Sequence, residues 1–158
     1  MDKNTAINDD RFLEFSLGTF SYALPLLSVK EVISVPQTRE LPNSPDYFTG
    51  VIDLRGLVVP IIDLRKKLKI VPIEDQSESA VIIVYIGNIF VGILVDAISQ
   101  VITIDTEKLE QHKASEAFAS YIIGFHRNED ESFTALIDLK LSLDMQDISG
   151  IKNAIGSK

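Results

Sequence analysis

The sequence carries one pattern twice, and that repeat limits most what the chain can fold into. Phe15-Ser16-Leu17-Gly18 recurs as Val84-Tyr85-Ile86-Gly87, an offset of 69. At the same offset Val29, Val32, Ile33 and Val35 become Ile98, Val101, Ile102 and Ile104. The match resumes at Gly50 and Gly124, offset 74, and at Ile62-Asp63-Leu64 and Ile137-Asp138-Leu139, offset 75. The extra residues fall mostly in the polar stretch 107–119. Positions that agree in character over about 70 residues mark one structural unit used twice.

Each unit reads as short strands. From Phe12 the apolar period is two, with Leu13, Phe15 and Leu17 predicted to point inward and Glu14 and Ser16 outward. Gly18-Thr19 is a two-residue hairpin signal, and Tyr22, Leu24 and Leu26 resume the alternation. Residues 28–31 have the capping-box pattern and predict a single helical turn, with strand returning over 31–35. Residues 37–47, with Pro42 and Pro45, form a loop, and the acidic stretch 74–78 is a connector. Residues 81–86 are apolar throughout, as in a strand buried on both faces near the junction of the units. About five strands and a helical turn make a small β-barrel. Alone it is too small to be very stable, so the two units are expected to pack together.

Residues 50–68, GVIDLRGLVVPIIDLRKKL, are the most informative stretch. Asp53-Leu54-Arg55-Gly56 is a turn, and the β-branched run after it is a buried strand. Pro60 cannot donate a ladder bond, which places it at an edge or a bulge. Asp63 suits a helix N-cap, Leu64 and Leu68 face inward at i and i+4, and Arg65, Lys66, Lys67 and Lys69 face water.

This stretch resembles the signature of the CheW family, adaptor proteins of bacterial chemosensory arrays. The family pattern is Gly, two apolar residues, Asn-Leu-Arg-Gly, an apolar strand with Pro, then Asp-Leu-Arg. It stands here almost whole, with Asp53 in place of the usual Asn. The resemblance spans about residues 12–143 and implies an all-β fold of two tandem SH3-like five-stranded barrels packed together, with short helical turns. The expected division is an N-terminal arm, 1–10, without order; one domain, 11–144, with subdomains at about 11–73 and 80–144 and strand exchange between them allowed; and a tail, 145–158. Within Val29-Lys30-Glu31-Val32 the family places a functional Glu, here Glu31, paired with the Arg of the turn, here Arg55. Val29, Glu31, Val32, Gly50 and Arg55 are the implied partner-binding residues. The implied partners are the regulatory domain of the histidine kinase CheA and the cytoplasmic tip of methyl-accepting chemoreceptors. The implied location is the cytoplasm, with recruitment to receptor arrays at the membrane. With no receiver domain after the second barrel, the chain is not expected to be of the CheV type.

The residues alone leave other readings open. Glu31 also fits as a capping-box carboxylate, Arg55 as a surface charge at a turn, and residues 65–69 as a solvated helix face. Gly18, Gly56 and Gly87 read as turn glycines, as does Gly124, and Asp63 and Asp138 as caps. Read instead as paired carboxylates, Asp63 and Asp138 would suit a small-ligand binder or enzyme. The same adaptor in a twitching or developmental pathway is a further alternative.

Composition excludes several classes. A net charge of −8 argues against nucleic acid, which needs an excess of Lys and Arg. There is no cysteine, hence no disulfide framework or thiolate metal site. His112 and His126 lie far apart with no companion ligands, so no metal and no cofactor is expected. Nucleotide-binding and nucleophile-elbow motifs are absent, and no enzyme activity is expected. The first eleven residues are polar, and no apolar run nears the roughly 20 residues of a bilayer span, so no membrane insertion is expected.

Overall fold

The computed structural model describes residues 10–40, 42–110, 120–143, 149, 150 and 153. The expectations for the N-terminal arm, for His112 and for most of the tail fall outside these residues. Among the described residues ten strands run in order: β1 (Arg11–Leu17), β2 (Phe20–Pro25), β3 (Val29–Ser34), β4 (Phe48–Leu54), β5 (Leu57–Asp63), β6 (Ala80–Ile86), β7 (Ile89–Val95), β8 (Ala97–Thr103), β9 (Ile122–Arg127) and β10 (Phe133–Ile137). Helix α1 (Leu64–Leu68) follows β5, and α2 (Leu139–Ser142) follows β10. No helix among the described residues is long and apolar enough to cross a membrane.

The strands form two five-stranded sheets, ordered β8-β1-β2-β10-β9 and β3-β6-β7-β5-β4. Advancing each strand of one sheet by one repeat yields the order of the other, so the internal repeat is a repeat of topology. Neither sheet is built from one half of the chain. The β1–β2 hairpin is completed by strands of the second half, and the β6–β7 hairpin by strands of the first. The parallel ladders β2–β10 and β5–β7 and the antiparallel ladders β1–β8 and β3–β6 make these joins. Parallel pairing needs a long crossover: β5 reaches β7 through α1 and β6 of its own sheet, whereas β2 reaches β10 by way of all five strands of the second sheet, then β8 and β9.

Both sheets bury both faces. The largest cluster lies between them, where Leu13, Phe15, Leu17 and Leu24 of the first sheet meet Ile62, Ile82, Val84 and Ile93 of the second. Each such side chain contributes about 1.5–3 kcal/mol when fully buried. A second cluster, Val59, Ile61, Val81, Ile83 and Leu94, is flanked by Ile33 of β3 and Ile52 of β4. Those are the two edge strands, so the second sheet curls until its edges converge on one interior. Phe12, Ala23, Ile104 and Leu136 fill the first barrel in the same way.

Burial of both faces corrects one sequence expectation. Glu14 does point away from Leu13 and Phe15, but that side is the barrel interior, and Glu14 is buried. Two more corrections are local. The helical turn comes before Val29, as a 3-10 turn at Leu26–Ser28, because Ser28 Oγ donates back to Pro25 O and β-branched Val29, Val32 and Ile33 favour strand. Pro60 lies inside the sheet, yet pairing with β7 begins only at Ile61, so the parallel ladder loses no donor. The caps stand where the sequence put them. Asp63 N–H donates to Tyr47 O and Asp138 N–H to Tyr121 O, each at 2.8 Å. Their carboxylates accept from Arg65 N and Lys140 N.

Candidate functional site

The β4–β5 turn presents Arg55. Leu54 pairs with Leu57, leaving Arg55-Gly56 as a two-residue loop with φ of 54° and 89°. Positive φ at both positions is the type I′ geometry that suits the twist of a hairpin. Asp53 Oδ1 accepts from Gly56 N at 2.7 Å, so the departure from Asn keeps the acceptor this turn uses. A Cβ at Gly56 would meet nothing within 4 Å, so only its backbone angle demands glycine there.

Glu31 arrives from the opposite edge of the same barrel. A bulge separates Val29, opposite Val84, from Glu31, opposite Ile83. Val84 faces the inter-barrel core and Ile83 the barrel interior, so the bulge moves β3 from one face to the other. Glu31 therefore reaches across to the closing edge, where Arg55 Nη2 donates to its carboxylate. The pair joins the two free edges of the second barrel and stays open to water, with side-chain exposures of 65% for Arg55 and 28% for Glu31. Glu31 is thus an ion-pair residue in a strand, and a capping box plays no part.

The other implied partner-binding residues separate into surface and support. Val32 is exposed on the opposite face of β3. Val29 packs against the inter-barrel core. Gly50 is buried, and a Cβ there would lie 2.5 Å from Arg39 O, because residues 38–39 bridge to Val51 across it. Gly18 and Gly87 occupy hairpin turns at positive φ. Gly124, in contrast, sits inside β9 opposite Leu136, at a bulge and not at a turn.

Beside the pair, a surface path leads to a groove. Lys30 Nζ lies 5.3 Å from the Phe90 ring, and Phe90 packs on Tyr85 at 5.0 Å between centroids. Tyr85 walls an apolar groove of about 310 Å³ between the barrels, with Leu24, Pro25, Ile123 and Ile137 from the first sheet and Ile86 from the second.

Arg65 does not face water, as its helix position predicts, but turns inward. It is 7% exposed and clamped between carboxylates: Nε donates to Asp63 at 2.9 Å and Nη1 to Asp96 at 2.7 Å. Asp96, fully buried, also accepts from Gly18 N at 2.6 Å. Burial opposes the Arg65 charge, but hydrogen bonds to Asp63 and Asp96 outweigh it and raise its pKa. This node ties α1, at the second barrel, to the β1–β2 turn of the first. Lys66 and Lys69 do face water, while Lys67 Nζ lies 4.6 Å from the Tyr47 ring. Asp63 is therefore committed to Arg65, whereas Asp138 lines the inter-barrel groove. Among the described residues no cluster of His, Asp and Glu is placed to hold a metal.

Two interlocked barrels with a shared core, an exposed ion pair and an apolar groove define a double-barrel binding module. The sequence model of the CheW-like domain matches residues 11–147, and the chain belongs to that family. It is 31% identical over 148 residues to the chemotaxis protein CheW of Klebsiella aerogenes, covering 92% of this chain and 89% of that one. It is 34% identical over 101 residues to CheW of Bacillus subtilis, 64% of this chain and 65% of that one. Its fold matches the scaffolding protein TtCheW of Thermoanaerobacter tengcongensis with a TM-score of 0.78 at 28% identity, covering 88% of this chain and 95% of that one. The chain is thus a non-catalytic chemotaxis adaptor of the CheW kind.

Proposed function

We propose that this adaptor bridges the regulatory domain of a CheA-type histidine kinase and the cytoplasmic helical tip of methyl-accepting chemoreceptors, acting in the cytoplasm at receptor arrays. The observation that carries the reading is the solvent-open Glu31–Arg55 pair across the edges of the second barrel. It supplies a charged contact at the surface that the family motifs mark. The apolar groove, reached from the pair by way of Lys30, Phe90 and Tyr85, suits the apolar stripe of a receptor helix. Distinct surfaces for kinase and receptor permit bivalent bridging, which raises avidity without new contacts.

An exposed pair contributes only about 0–1 kcal/mol to folding, whereas an interface charge left buried and unpaired costs about 2–5 kcal/mol of binding. Glu31→Lys and Arg55→Glu are therefore expected to melt within a few degrees of the parent and to lose receptor-dependent kinase activation. Full activation by both variants would reject the assignment.

A further inference from the structure

Three carboxylates are buried among the described residues: Asp63, Asp96 and Glu14. Asp63 and Asp96 share the Arg65 guanidinium. Glu14 has no basic partner among the described residues; its bonds come from neutral donors. Thr134 Oγ1 donates to one carboxylate oxygen at 2.6 Å, and Gln100 Nε2 donates to the other at 3.0 Å. Asn128 Nδ2 donates to Thr134 Oγ1 at 3.0 Å, which leaves the threonine proton aimed at Glu14. A carboxylate offers about four acceptor sites, so two such bonds leave it unsaturated. A buried carboxyl group held by two neutral donors keeps acceptor capacity that an added cationic donor can fill.

Glu14 lines a cavity of about 720 Å³ at the open end of the first barrel. Ser21, Gln100 and His126 also line it, and Glu129 and Asp130 stand in the β9–β10 turn beside them. The single arginine of the lining, Arg127, is already matched. Its guanidinium donates to Glu110 at 2.9 and 3.2 Å and to Glu131 at 3.2 Å, and neither glutamate lines the cavity. Ser132 holds the Asp130 carboxyl below its ordinary pKa by hydrogen bonding, so that carboxylate stays ionised. The cavity is thus polar and negative, with a preset acceptor inside it.

We propose that the mouth of the first barrel binds a small organic cation, an alkylammonium with hydrogen-bonding capacity, with Glu14 as its counter-charge. The site is separate from the Glu31–Arg55 pair, which belongs to the other barrel, so the adaptor would carry a ligand-responsive barrel beside the pair-bearing one. Charge-assisted bonds to a carboxylate are roughly twice as strong as neutral ones, which lets such a ligand select this cavity.

The test titrates the full chain with 1,4-diaminobutane and with the neutral isostere butane-1,4-diol, following backbone amide shifts by NMR. The expected result is saturable millimolar or tighter binding of the diamine, with shifts centred on residues 14, 21, 100 and 126, and no saturation with the diol. Glu14→Gln should weaken the diamine by about tenfold or more, as loss of a charge-assisted contact requires. Should that variant fold poorly, Ser21→Leu obstructs the cavity while leaving Glu14 and its bonds in place, and should weaken binding as well. Equal binding of diol and diamine, no saturation by either, or undiminished affinity in the folded variants would overturn the proposal.

Discussion

Replacing Arg65 by Met tests what locks the two barrels together. Met keeps an unbranched stem of similar reach and removes the guanidinium. Asp96, with no exposure, and Asp63, with 8%, then lose their shared cation. Removing one partner of a buried ion pair costs about 3–5 kcal/mol, because the remaining charge stays buried. For a chain of this size each kcal/mol lowers the melting temperature by about 2–4 °C, so the loss is expected at roughly 6–20 °C. The cause is checked by a second substitution. Asp96→Asn keeps an oxygen to accept from Gly18 N and carries no charge. It should destabilise the parent, where it weakens the Arg65 contact, but be neutral or stabilising in the Arg65→Met background. Urea unfolding of the four proteins closes the cycle. A loss below about 1 kcal/mol for Arg65→Met, in the range of a surface pair, would refute a lock built on the Arg65 cation. Additive effects of the two substitutions would refute it too.

Gly50→Ala should destabilise more than Gly56→Ala, since only at Gly50 would the new Cβ press on backbone, 2.5 Å from Arg39 O. Gly56→Ala should cost about 1–2 kcal/mol from its positive φ alone; the reverse ranking in thermal melts would show that the close approach is not what requires Gly50. Burial first, and the nearby Tyr121 second, raise the pKa of Tyr22 above 10.0. The unfolded chain therefore loses that proton first, so the stability contribution present below about pH 10 is lost as pH climbs through the folded value. Tyr22→Phe should flatten the alkaline decline in urea midpoints, and an unchanged decline would show that other groups control it.

Much of the fold was legible because repeats and period-two alternation report directly on strands and hairpins. Gly18 and Gly87 in turns, the Asp63 and Asp138 caps, and the turn at residues 53–56 are all local signals. The interlocking of the sheets was left open, because it depends on the parallel β2–β10 and β5–β7 ladders between residues about 30 to 110 positions apart. The buried charges were illegible for another reason. Alternation assigns polar residues to water, which holds when one face of a sheet is solvated. Here both faces are buried, and Glu14 finds polar partners inside; Arg65, on helix α1, is instead drawn inward by the carboxylates of Asp63 and Asp96. Asp96 gave no signal of its own, since a single carboxylate between two apolar strands reads as a turn residue. Of the motif-derived positions, Glu31 and Arg55 do meet. Val29 and Gly50 stand behind that surface, which a motif shared for folding reasons cannot distinguish from one shared for binding.

In the proposed role one chain holds a kinase and a receptor at once. The direct measurement is a pull-down on immobilised receptor cytoplasmic fragment from the same cell, with the cell's own CheA regulatory domain in solution, with and without this protein. The kinase domain should be retained only when the adaptor is present, and Glu31→Lys should abolish retention while the variant still binds the kinase domain alone. Retention of the kinase domain without the adaptor, or unchanged retention with Glu31→Lys, would contradict it.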